Sequence, residues 1–301
     1  MIGLVAAWQT STGGGTMDGF EELTIRANGI ALCAVAAGPP AGPLVLLLHG
    51  FPEGSYGWRA QLGALAAAGY RVVAPDGRGY GRSAKPDGVR AYGLDRLTGD
   101  VVGIIAALGR DRAALVGHDW GALVAWAVAA RQPSWVTRLA ILNVPHPATI
   151  GPFLRAHRSQ RLRSAYIAFF QLPWLPEAIL RANDWALLAR ALTGTSRPGT
   201  FSDVDLARYR AAWARPGALT GMLGWYRALV RVGGASSTPR VTVPTLILWG
   251  VHDQFLDRRL AAASLDWCDD GRLIDLDASH WVQHEEAARV NGELVGWLGM
   301  G

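Results

Sequence analysis

A chain of 301 residues, half of them hydrophobic, carries enough apolar material to close a large core without metals or disulfides. Its formal net charge of +5 rests almost wholly on arginine, since Lys85 is the only lysine, and it is spread out with no binding motif beside it, which argues against a nucleic-acid partner. The only cysteines, Cys33 and Cys268, stand in neither metal nor redox spacing, so no metal or disulfide is expected and a reducing cytoplasm suits the chain.

The apolar start, Met1 to Ala7, is too short to span a membrane, so no integral membrane segment is predicted. Ser11-Thr12-Gly13-Gly14-Gly15 reads as flexible, and residues 1–18 are expected to form a tail with no folded role. Buried strands are predicted at Leu44–Leu48, Arg71–Ala74, Ala113–Val116, Leu139–Leu142, Thr245–Trp249 and Arg272–Leu276, each a short apolar run. Helical patterns lie between them, at about 58–68, 95–108, 121–132 and 284–299. Such alternation predicts an α/β fold, a mostly parallel sheet flanked by helices, with its chemistry at the carboxyl ends of the strands. From 149 to 235 no strand is predicted, only helical stretches broken by proline and glycine. That segment reads as an all-helical cap, inserted between core parts at 19–148 and 236–301.

The run Gly117-His118-Asp119-Trp120-Gly121 follows a strand and opens a helix. Its spacing is that of a Gly-x-Ser-x-Gly nucleophile elbow, with aspartate where serine would stand. The bland alternative is a strand-to-helix turn with an N-capping aspartate. A carboxylate nucleophile attacks an electrophilic sp3 carbon and leaves an alkyl ester on the protein, which a water activated by a base must then hydrolyse. His280 is the candidate base and Asp253 its orienting acid, each just beyond a predicted strand end, in the chain order nucleophile, acid, histidine. The early loop His49-Gly50-Phe51-Pro52-Glu53 is placed to supply an oxyanion hole, from the backbone N–H groups of Phe51 and Trp120.

Together these segments resemble the α/β-hydrolase epoxide hydrolases, along with Asp76 to Ser83, Asn143-Val144-Pro145-His146-Pro147 and His280 to Glu285. The likeness runs from about residue 20 to the end. In the insertion, the wording of Tyr166 to Glu177 and of Trp225-Tyr226-Arg227 is closest to the caps of animal epoxide hydrolases that sit on membranes, without their N-terminal anchor. The resemblance implies that Tyr166 and Tyr226 hydrogen-bond the epoxide oxygen from the cap side. An alkoxide leaving group needs a proton donor such as a phenol, whereas a halide needs only an anion site. The expected substrates are thus a small apolar epoxide and water, the product a vicinal diol, and no cofactor is implied.

Other side chains are softer candidates. Glu53 is a candidate for orienting the hydrolytic water or His280, and an exposed loop glutamate is the plain alternative. Phe170, Trp174 and Trp281 are candidates for positioning substrate in an apolar pocket. The main rival reading is a haloalkane or haloacid dehalogenase with the same nucleophile. Haloalkane dehalogenases usually carry asparagine where Phe51 stands, and some take their acid from the position of Asn143; fluoroacetate dehalogenases carry arginine where Trp120 stands. An inactive hydrolase-fold binding protein is a further alternative, against which the complete triad speaks. A homodimer is compatible with the sequence.

Overall fold

The computed structural model describes residues 8–10, 19–234 and 238–300. The chain enters its sheet through three antiparallel strands, β1 (Trp8–Thr10), β2 (Glu21–Ala27) and β3 (Ile30–Ala37). Asn28 and Gly29, both at positive φ (49° and 78°), turn β2 into β3. A two-residue Asn-Gly loop is suited to that hairpin twist. Neither strand was among the sequence expectations. The expected tail is also corrected in part: Gln9 of β1 pairs with Thr24, covering backbone groups that β2 would otherwise leave open at the sheet edge. The remainder of residues 1–18 lies outside the described residues.

The six predicted strands follow as β4 (Leu44–Leu48), β5 (Arg71–Pro75), β6 (Ala113–His118), β7 (Val136–Leu142), β8 (Thr245–Gly250) and β9 (Gly271–Leu276). They run parallel, and the sheet order is β1-β2-β3-β5-β4-β6-β7-β8-β9. Every residue of β4, β5, β6 and β8 is buried, which is why these strands read as unbroken apolar runs.

Among the described residues three α-helices precede the insertion: α1 (Arg59–Ala67), α2 (Leu94–Ala107) and α3 (Trp120–Arg131). The insertion, between β7 and β8, holds helices joined by turns and no named strand among its described residues. It holds α4 (Pro147–Ala156), α5 (Arg158–Arg163), α6 (Tyr166–Phe169), α7 (Leu175–Thr193), α8 (Asp203–Trp213) and α9 (Ala218–Arg231). After it come α10 (Arg259–Leu265), α11 (Val282–Glu285) and α12 (Ala287–Leu298).

Side chains of β4 alternate between two cores, as the strand period requires. Val45 and Leu47 pack with Leu62, Leu65, Leu294 and Trp297 from α1 and α12. Leu46 and Leu48 face Ile104, Val124 and Trp126 from α2 and α3, in the same core that takes Leu180, Leu192, Trp213 and Leu223 from the cap. The cap is therefore welded to one side of the sheet by shared apolar contacts. Among the described residues no helix is long and apolar enough to cross a membrane.

Register places the site. Leu48 pairs with Gly117, His118 with Leu142, Leu142 with Leu248, and Gly250 with Leu276. The loops after β4, β6, β7, β8 and β9 thus leave the sheet side by side. Between β4 and β6 the winding direction reverses, which opens the crevice where such sheets bind ligands.

Candidate active site

Asp119 sits in that crevice, at φ 50° and ψ −123°, between the end of β6 and the first turn of α3. Positive φ in a non-glycine residue stores about 1–3 kcal/mol of strain, and the neighbours enforce it here. A Cβ on Gly121 would lie 2.0 Å from the Leu48 carbonyl oxygen, and one on Gly50 would lie 2.2 Å from Asp119 Cβ. Glycine at these two points lets the elbow and the β4 loop touch, and the contact is direct: Phe51 N–H donates to Asp119 Oδ1 at 2.7 Å. Trp120 opens α3, where backbone N–H groups lack helical acceptors.

His280 reaches Asp119 from the loop after β9. Its Nδ1 donates to Asp253 Oδ2 at 2.7 Å, and its Nε2 lies 3.6 Å from Asp119 Oδ2. Asp253 is itself fixed on both oxygens. Phe255 N–H (2.7 Å) and Leu256 N–H (3.0 Å) donate to Oδ1, and the Asn143 amide donates to Oδ2 at 2.8 Å. Asn143 also accepts from Gly250 N–H at 2.9 Å, so it struts the acid from the end of β7. Burial disfavours the His280 imidazolium, but the Asp253 and Asp119 carboxylates outweigh it and raise the pKa to about 10. Burial likewise pushes Asp119 up, and His280, His118 and the Phe51 amide more than offset it, leaving the carboxyl below its usual range.

Tyr166, first residue of α6, and Tyr226, on α9, come from the cap, with ring centroids 5.9 Å apart. The Trp120 ring meets Tyr226 edge-on at 4.8 Å. Burial first, and the Asp119 charge besides, raise both phenols above their ordinary pKa, so both stay protonated. Asp119, His280, Tyr166 and Tyr226 line one cavity of about 370 Å³, whose other walls are mainly apolar, Phe170 and Trp281 among them. A second chamber of about 320 Å³, walled by Trp120, Leu123 and Val144, shares Asp119 and both tyrosines.

Two softer candidates stand elsewhere. Trp174, at the start of α7, is 73% exposed and lines neither chamber. The carbonyls of Phe170 and Leu172, in the turn before it, accept from Arg227, and Trp174 itself stands at φ 47° with its indole outside. Glu53 is not the exposed loop residue of the plain alternative but is 4% exposed, and it meets neither substrate chamber. It accepts from Tyr209 of α8 (2.5 Å) and from Gln283 (3.0 Å), and His284 Nε2 lies 2.7 Å away. Burial pushes its carboxyl up, and the facing His284, His118 and Tyr209 bring it down to about 2.

Sequence reasoning assigned no role to His118, Gln283, His284, Tyr209 or Asn143. Gln283 donates to His118 Nδ1 at 3.1 Å, and His118 Nε2–H donates to the His280 carbonyl at 2.9 Å. A polar network thus runs from the cap through Glu53 to the backbone of His280. The available signal was a polar side chain at the end of a wholly buried strand, which must find partners.

Burial, with the His280 charge 4.7 Å away between ring centroids, holds His118 at about 4. Burial holds His146 at about 4 as well. In the unfolded chain both take up protons as pH falls through about 6.5, whereas the native state resists until about 4. Stability is then fully present above about 6.5 and declines toward pH 5. His280, raised to about 10, is protonated in the native state throughout that window and titrates near 6.5 only in the unfolded chain, which offsets a small part of the loss from the other two. Glu53, lowered to about 2, contributes only further down. The urea midpoint is expected to be lower at pH 5 than at pH 7, and equal midpoints would contradict the assignment of two neutral buried histidines.

The alpha/beta hydrolase fold family model matches residues 43–287. The chain is 45% identical to AB hydrolase superfamily protein YfhM of Bacillus subtilis, over 94% of this chain and 99% of that protein. It is 39% identical to Epoxide hydrolase 4 of Homo sapiens, over 89% of this chain and 76% of the human protein. The crystal structure of Bacillus megaterium epoxide hydrolase with an inhibitor superposes at a TM-score of 0.83, with 30% identity, covering 91% of this chain and 99% of that one. A matched span holding the elbow, Asp253, His280 and the cap tyrosines, and relatives alike over most of their length, lead to one conclusion: the chain belongs to the α/β-hydrolase family, among its epoxide hydrolases.

Proposed function

We propose that the protein hydrolyses an apolar epoxide to a vicinal diol, in the cytoplasm and without a cofactor. The observation that carries this reading is the pair of protonated phenols, Tyr166 and Tyr226, lining the same cavity as the Asp119 carboxylate. Asp119 Oδ1 already accepts from Phe51 N–H, which leaves Oδ2 to attack the less hindered epoxide carbon. As the new C–O bond forms the ring C–O bond breaks, and a tyrosine gives its proton to the alkoxide. The ester removes one of the two negative charges that keep His280 protonated, so the imidazolium gives up its proton, which restores the tyrosine, and becomes a base. It deprotonates water, which adds to the ester carbonyl. The oxyanion grows on the oxygen held by Phe51, with the Trp120 amide as second donor; each such donor contributes about 3 kcal/mol to the barrier. Collapse expels the diol as its alkoxide, which takes the proton left on the Asp119 carboxyl. The diol departs, Asp119 is again a carboxylate, and His280, holding the proton from water, is again an imidazolium.

Turnover of styrene oxide beside 1-bromobutane tests the reading, with diol and bromide followed separately. Diol without bromide is the expected result. Bromide without diol would make the tyrosines structural and move the site to the dehalogenases.

A further inference from the structure

Tyr166 stands on α6, a helix of four residues. One turn has no stability of its own, so tertiary bonds must set the position of the phenol. Those bonds converge on Arg227, the residue after Tyr226, which is 8% exposed. Its Nε donates to the Phe170 carbonyl (3.0 Å) and its Nη2 to the Leu172 carbonyl (2.8 Å). Glu177, at the start of α7, grips the same guanidinium with both oxygens, at 2.6 and 2.9 Å. Between the two carbonyls, Gln171 donates back to Tyr226 O (3.0 Å) and to Ile167 O (3.2 Å). Phe170 N–H in turn donates to Tyr166 O. The turn that ends α6 is thereby stitched to α9 beside Tyr226.

We propose that Arg227, locked by Glu177, is a positioning residue for ring opening, which fixes the two phenols relative to each other by clamping the turn after Tyr166 onto the helix that carries Tyr226. The inference rests on the epoxide-hydrolase reading above, in which the phenols serve ring opening and not ester hydrolysis. Only a planar fork reaches two carbonyls and a bidentate carboxylate at once; an ammonium is a point charge with no such geometry. Misplacing a reacting group by an ångström costs about 10²-fold.

Single-turnover quench with styrene oxide, reading the ester by intact mass and the diol by chromatography, separates the half-reactions. Arg227→Lys is expected to slow ester formation about 10- to 100-fold while the ester, once formed, hydrolyses at the wild-type rate. In a Tyr166→Phe background the same substitution should have little further effect, because the group it positions is gone. Equal slowing of both half-reactions, or full additivity with Tyr166→Phe, would show a general packing role and overturn the proposal. Should Arg227→Lys not fold, Glu177→Gln keeps the shape and is expected to slow ester formation selectively by a smaller factor; an unchanged rate in it overturns the proposal equally. A wild-type protein that forms no ester, or a Tyr166→Phe variant with full ring opening, removes the underlying reading and this inference together. Ring opening that needs Tyr166 but ignores Arg227→Lys removes the inference alone.

Discussion

Asp119→Asn is expected to lower turnover of an epoxide by about 10⁴-fold or more, because members of a catalytic triad fail as a unit. The amide nearly preserves shape, and the Phe51 N–H keeps an acceptor if the amide oxygen takes the place of Oδ1. What disappears is the negative charge that attacks carbon. Initial rates on freshly purified protein check this, with intact mass confirming that the amide has not hydrolysed back to aspartate beside His280. Near-normal diol formation by an authentic, folded asparagine variant would remove Asp119 as nucleophile.

His280→Gln separates the two half-reactions instead of abolishing both. The attacking carboxylate is held by the Phe51 amide and the phenols stay in place, so ring opening proceeds. Hydrolysis of the ester has lost its base, and overall turnover should fall by about 10⁴-fold or more. The protein is therefore expected to gain the mass of one epoxide per chain and to release at most one equivalent of diol slowly. A variant that turns over no substrate and carries no adduct would contradict a covalent intermediate. Asp253 enters the same argument through charge: among the groups that raise the His280 pKa it comes first, ahead of Asp119, so its carboxylate shifts the imidazole's titration as well as holding the ring.

Much of this was legible in the sequence because the strongest constraints are local. Parallel strands covered on both faces have no polar positions to spare, and Leu44–Leu48 and Thr245–Gly250 announce themselves as apolar runs. The elbow was legible because its glycines are required by contacts under 3 Å, and Asp253 and His280 because each follows a strand end. The β2–β3 hairpin was overlooked although Asn28-Gly29 marks it, since β2 mixes polar with apolar residues and both strands are only partly buried. Glu53 and Trp174 were harder still. A glutamate after Gly-Phe-Pro is buried only because Tyr209 from the cap and Gln283 from the far end of the chain close over it. A tryptophan among aromatic neighbours stands outside, at φ 47°, next to a turn whose carbonyls are held by Arg227 of α9. Both settings involve residues distant in the chain, which no local pattern carries.

In the proposed mechanism the sheet supplies the nucleophile and its base, whereas the inserted helices supply both proton donors. An epoxide carbon yields to a carboxylate only as its oxygen is protonated, so neither half of the molecule is reactive alone. Reactivity is thus a logical conjunction: a chain with its sheet formed and its cap unseated carries a carboxylate that epoxides pass by. Under that mechanism the arrangement shields the half-made or locally opened protein from being alkylated by its own substrate before it is able to finish the reaction.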